Sequence, residues 1–120
     1  MREIKFRAWV LGKMYEVKNL EWDWGHLIIT TDGGWIALPD PKAHLMEFTG
    51  LHDKNGVEIY EGDILQGTMG DETWIVKFNK GCFQVFSYGE ADYCLQDFYD
   101  EVTVIGNIHE NPELLELPDA

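Results

Sequence analysis

The sequence predicts a mainly β protein built of N-terminal β hairpins, a small barrel and a short C-terminal helix. Three observations carry the prediction. Apolar and polar residues alternate over short runs, the period-two mark of half-buried strands. Tight-turn signals separate those runs, above all Asp32-Gly33-Gly34, Asn55-Gly56 and Asn79-Lys80-Gly81. Rings are abundant, with five Trp, five Tyr and six Phe, and large rings fit the pleated surface of a sheet.

Ile4-Lys5-Phe6-Arg7-Ala8-Trp9-Val10 alternates cleanly. Ile4, Phe6, Ala8 and Val10 share one face, and Lys5, Arg7 and Trp9 the other. Gly12-Lys13 is a turn, and Met14-Tyr15-Glu16-Val17 is the return strand of a first hairpin. Trp22, Asp23, Trp24 and Gly25 form an irregular stretch or a short strand. His26 to Thr31 is a strand, Thr31-Asp32-Gly33-Gly34 a turn, and Trp35-Ile36-Ala37-Leu38 the partner strand. Pro39-Asp40-Pro41 stops sheet pairing, since neither proline donates a backbone hydrogen bond. It divides an N-terminal β segment, 1–41, from a β unit with a helical tail, 42–120, unless the two form one continuous domain.

The second unit opens on Leu45 to Leu51. Asn55-Gly56 reads as a type I′ turn, which needs positive φ at both central residues. Val57 to Tyr60 returns, Glu61-Gly62-Asp63 is a second break, and Ile64-Leu65-Gln66 starts a new strand. After a loop at 67–72, Thr73 to Phe78 and Cys82 to Tyr88 form a hairpin. Gly89-Glu90-Ala91-Asp92 reads as a loop. Leu95, Phe98, Tyr99 and Val102 have helical spacing over a turn or two. Val102 to Ile108 is the last strand. Asn111 suits an N-cap, Pro112 the first helical position, and Glu113 the helix dipole. Leu114, Leu115 and Leu117 give that helix an apolar side, and Pro118 ends it. Tight hairpins with a helical turn before the last strand describe an SH3-like barrel.

A chain of 120 residues buries roughly two-thirds of its unfolded surface, enough for a core without staples. The net charge is −13, which repels free nucleic acid from the average surface. The charge is uneven. Residues 1–18 carry Arg2, Lys5, Arg7, Lys13 and Lys18 against Glu3 and Glu16, a balance of +3, and the remainder carries −16. Such a basic arm packs within one molecule or against a neighbouring subunit; equally, its lysines serve to block edge-strand aggregation. Cys82 and Cys94 have no metal-type spacing and read by default as free thiols, with a disulfide left open as an unneeded alternative. No signal peptide is visible, and no apolar run approaches the ~20 residues of a membrane helix. A soluble, cytoplasmic protein with no membrane partner is expected.

The residues offer no catalytic constellation. His26, His44, His52 and His109 lie far apart, without metal-ligand spacing. Ser87, the one serine, falls inside a strand and not on a strained elbow. With twenty-two acids, neighbouring carboxylates such as Glu58, Glu61, Asp63, Asp97, Asp100 and Glu101 arise by accident. Glu61-Gly62-Asp63 reads as a turn whose aspartate bonds backbone amides, and Asp53, Asn55 and Gly56 join it in a structural turn motif. No phosphate-binding glycine loop is present. The expectation is no enzyme, no metal and no cofactor.

Three blocks resemble one family. They are Arg2 to Trp9 (REIKFRAW), Thr49 to Ile64 (TGLHDKNGVEIYEGDI) and Val104 to Leu115 (VIGNIHENPELL). In this order they are similar to the YopX family of phage and prophage proteins. The resemblance spans residue 2 to about residue 116 and is silent over 10–44, where Val10-Leu11 stands in place of polar residues and implies a longer strand. It implies a mostly β fold with an SH3-like barrel, a phage setting inside a bacterial host, and no catalytic residue. The expected function is an accessory protein acting by protein contacts, as a homo-oligomer or on a host or phage partner. Its candidate interaction surface is Arg2, Lys5, Arg7, Trp9, Trp22, Trp24 and Trp35. The alternative is a nucleic-acid-binding module in which those rings stack on bases and the basic arm meets phosphates.

Overall fold

The computed structural model of the chain describes residues 4–67, 72–79, 81–87, 90–97 and 99–115. Among them lie twelve strands: β1 (Phe6–Val10), β2 (Lys13–Glu16), β3 (Asn19–Asp23), β4 (His26–Thr31), β5 (Gly34–Leu38), β6 (Ala43–His52), β7 (Glu58–Tyr60), β8 (Asp63–Gly67), β9 (Thr73–Asn79), β10 (Cys82–Ser87), β11 (Glu90–Cys94) and β12 (Val102–Asn107). Short 3₁₀ turns occupy Leu95–Asp97, Tyr99–Glu101 and Pro112–Leu115. The protein is mainly β, as the alternation predicts. Expectations placed on Arg2, the loop at 68–71, Lys80, Tyr88, Gly89, Phe98, Leu117 and Pro118 lie outside the described residues.

The chain divides into two compact units, Glu3–Glu47 and Phe48–Ala120. In the first, β1 is flanked by β2 and by the Ala43 to Glu47 part of β6, both antiparallel. Ala8 faces Tyr15 and Leu45 across the two ladders, and Trp9 faces Met14 and His44. The predicted alternation of β1 therefore holds, although only Ala8 of that strand is buried. The strand also stops at Val10 and does not run on through Leu11. A second antiparallel sheet has the order β3-β4-β5. Its β3 takes in Trp22 and Asp23, the short-strand reading of the stretch 22–25, and begins earlier, at Asn19. Leu20 and Trp22 alternate with Asn19, Glu21 and Asp23, and the whole strand pairs with β4, from Asn19↔Thr30 to Asp23↔His26.

The second unit holds a five-stranded antiparallel sheet, β11-β10-β9-β8-β12, curled into a half barrel. Register explains its core. Leu65 pairs with Trp74, Val76 with Val85, and Val104 with Leu65, so one face collects these side chains. Ile59, Leu65, Trp74, Val76, Phe83 and Val85 are buried there with Leu95 and Val102. Each such side chain contributes about 1.5–3 kcal/mol by leaving water. The helical spacing from Leu95 to Val102 resolves into two 3₁₀ turns that deliver Leu95 to this core.

Two local expectations are corrected. Glu90 to Asp92 is not a loop but the start of β11, an edge strand held by β10 through a bulge between Val85 and Phe86. An edge strand needs only one neighbour, so backbone pairing decides it against the low β propensity of Glu, Ala and Asp. Asn111 turns its side chain backwards: its Oδ1 accepts the Asn107 amide at 3.2 Å, while its own carbonyl accepts the Leu114 amide at 3.1 Å. Asn107 Oδ1 in turn accepts the His109 and Glu110 amides. The segment Pro112–Leu115 is thus a 3₁₀ turn locked to the end of β12.

Candidate interaction surface

The turn motif is the better-defined half of the predicted site. Asp53 is buried, 5% exposed. Its Oδ1 accepts the amides of Asn55 (2.8 Å) and Val57 (2.9 Å), and its Oδ2 accepts the Val104 amide (2.9 Å). Burial pushes the carboxyl up, but the three amides, with His52 adding to them, outweigh it and hold Asp53 below its ordinary value. The turn is not type I′. The Gly56 amide donates to the Asp53 carbonyl at 3.0 Å, so Lys54 and Asn55 are the central residues and Gly56 alone has positive φ, +84°. This is a type I turn followed by a left-handed glycine. Asp53 at its first position gains the Val104 contact, which ties the turn to β12. At the second break the Tyr60 amide donates to Asp63 Oδ2 at 2.7 Å. Gly62, φ +84°, donates to Val76 and accepts from Ile108, while Glu61 is half-buried beside it.

The proposed surface residues do not converge. Lys5, Arg7 and Trp9 are half-buried, and Arg2 lies outside the described residues. Trp22, Trp24 and Trp35 are exposed. Trp22 pairs with Leu27 and Trp35 with Thr30. These partners are three residues apart on β4, so the two rings leave opposite faces of the sheet.

Sequence reasoning missed what the hairpin tips do. Val10↔Lys13 and Asp23↔His26 close two-residue hairpins. Their central pairs, Leu11-Gly12 and Trp24-Gly25, both have positive φ at both residues: +49° and +85°, then +51° and +80°. The primed turn expected at Asn55-Gly56 is therefore found at these two tips. Leucine and tryptophan are costly in the left-handed region, where Asn or Gly is favoured. Both side chains point into water: Leu11 is 74% and Trp24 91% exposed. The sequence signal was the X-Gly spacing, obscured because X is a large apolar residue.

Each tip adjoins a groove within the first unit. Leu11 itself lines one of about 370 Å³, with Val10, Tyr15, Thr31, Trp35 and Ile36. Gly25, next to Trp24, lines another of about 580 Å³, with Trp22, Leu27, Leu38, Pro39 and Leu45. His44 also contributes to this second wall. Electrostatics set this unit apart. Residues 3–47 carry five basic and seven acidic side chains, a balance of −2, whereas 48–120 carry three and fifteen, a balance of −12. Among the described residues no three His, Cys, Asp or Glu side chains gather as a metal site, and no helix is long and apolar enough to cross a membrane.

Comparison with known proteins bears on the whole chain. The family model described as YopX protein matches residues 5–116. Protein EF1440 from Enterococcus faecalis has a crystal structure that superposes with a TM-score of 0.73 at 33% identity, covering 97% of this chain and 100% of that one. The crystal structure of protein YopX from Bacillus subtilis gives a TM-score of 0.65 at 25% identity, again over 97% and 100%. No curated protein matches. The chain therefore belongs to the YopX family, the one that the three sequence blocks resemble.

Proposed function

We propose that the protein is a phage or prophage accessory protein of the host cytoplasm, that it is not an enzyme, and that it associates with itself through the surface of residues 3–47. The carrying observation is the pair of strained hairpin tips. A left-handed Leu11 and Trp24 each cost the fold on the order of 1 kcal/mol, and both expose their apolar side chains to solvent. Strain retained at an exposed apolar residue is explained when that residue is used. The grooves beside the tips supply matching concavities on the same unit. A surface that bears both knob and hole is self-complementary, which is what a two-fold dimer needs. Charge favours the same arrangement: the units that meet are the less acidic ones, of net −2. The phage setting rests on membership in the family.

Sedimentation of the full chain across salt concentrations tests the reading. The expected result is a dimer whose dissociation constant falls as salt screens the remaining repulsion between acidic units. A monomer at every salt concentration and at high micromolar protein contradicts it. The alternative, nucleic-acid binding by the basic arm, has Lys13 and the exposed indoles in its favour. Against it, Lys5 and Arg7 are half-buried, and Lys18 sits 3.5 Å from Glu16. A gel-shift series with DNA and RNA at low salt decides it; no shift at high micromolar protein removes it.

A further inference from the structure

Two thiols that the self-association reading leaves unused face each other in the second unit. Cys82 begins β10 and Cys94 ends β11. Gln84 is the register partner of Cys94, so Cys82 lies diagonally across the ladder, on the same face as Cys94 and opposite the core cluster. The two Sγ atoms share a hydrogen bond at 2.7 Å, and both residues are half-buried and not joined by a disulfide. Cys82 also lines a cleft of about 270 Å³ with Thr49, Leu51, Phe78, Phe83 and Gln96.

We propose that Cys82 and Cys94 form a dithiol site that exchanges with small disulfides and closes to a reversible intramolecular disulfide. The Cys82 thiolate, reached through the cleft, attacks one sulfur of an external disulfide RSSR. A Cys82–S–SR bond forms and RS⁻ leaves. Cys94 then gives its proton to RS⁻, and its thiolate attacks Cys82 Sγ, expelling the second thiolate, which solvent protonates. The balance is two protein thiols plus RSSR giving one protein disulfide plus two RSH. The order follows from geometry, because Cys82 lines the cleft and Cys94 does not. It agrees with the proton inventory: contact with the Cys82 thiol, then burial, holds Cys94 above its ordinary value, so Cys94 keeps its proton while Cys82 attacks. The closed form staples edge strand β11, which among the described strands pairs with β10 alone, to the rest of the sheet.

The test equilibrates the full chain with reduced and oxidised glutathione over a range of ratios, quenches by alkylation, and reads intact mass and non-reducing peptide maps. Expected is one species lighter by two hydrogens, with the Cys82 and Cys94 peptides linked. Cys94→Ser is expected to accumulate a glutathione adduct at Cys82, and Cys82→Ser to react markedly more slowly. Two alkylated thiols in the wild type at the most oxidising ratio overturn the proposal. So does a wild type that stops as glutathione adducts or as disulfide-linked chains.

Discussion

Asp53 shows how much one side chain can fix. Its carboxylate serves three amides, one of them 51 residues away at Val104. Asp53→Ala strands those donors in a buried turn and is expected to cost roughly 2–4 kcal/mol, read from urea unfolding. The pH dependence has a definite sign. The folded carboxyl lies below its ordinary value of 3.8, so its contribution is complete above about pH 4 and fades as pH falls through the lowered value. Acid unfolding of Asp53→Asn should lack that component; the same acid-limb slope as wild type would refute the assignment. Trp24 is the opposite case, a residue that works against its own fold. Trp24→Asn relieves the left-handed strain and should stabilise the isolated protomer by about 1 kcal/mol, measured at dilution low enough to exclude association. The core supplies the reference, since Trp74→Ala should cost about 3–5 kcal/mol in the same assay.

At the scale of elements, strands were easier to read than turns. Alternation placed β1, β4, β5, β9 and β10 because burial of one sheet face imposes period two. It missed β11, where pairing with one neighbour overrides weak propensity. It placed a primed turn at Asn55-Gly56, where Asp53 recruits the chain into a different turn by accepting the Asn55 and Val57 amides. The real primed turns at Leu11-Gly12 and Trp24-Gly25 break the residue preference for that geometry, so composition concealed them. At the other end of the chain, Gly106 is required by close approach and not by φ. A Cβ there would stand 2.5 Å from Asn111 Oδ1, the oxygen that accepts the Asn107 amide. Gly106→Ala should therefore lower the melting temperature by several degrees. In the Gly106→Ala/Asn111→Ala double variant the two losses should add to less than their sum. Full additivity would mean that the contact carries no strain.

For the whole molecule, the family and the mainly β architecture were legible, because three separated blocks resemble one family and period-two alternation marks the strands. The candidate surface was legible only in part. Trp22, Trp24 and Trp35 are exposed, but they do not share one face, and the grooves beside them depend on contacts such as Leu38 and Leu45 that no local pattern reveals. The uneven charge is legible in the sequence, and it follows the boundary between the compact units at Glu47 and Phe48. Sedimentation equilibrium of wild type beside the Leu11→Asn/Trp24→Asn double variant joins these threads most directly. Wild type should dimerise, more tightly as salt rises, and the variant should be monomeric yet unfold at higher denaturant. A variant that associates as well as wild type, or a wild type that never associates, would contradict self-association through the hairpin tips.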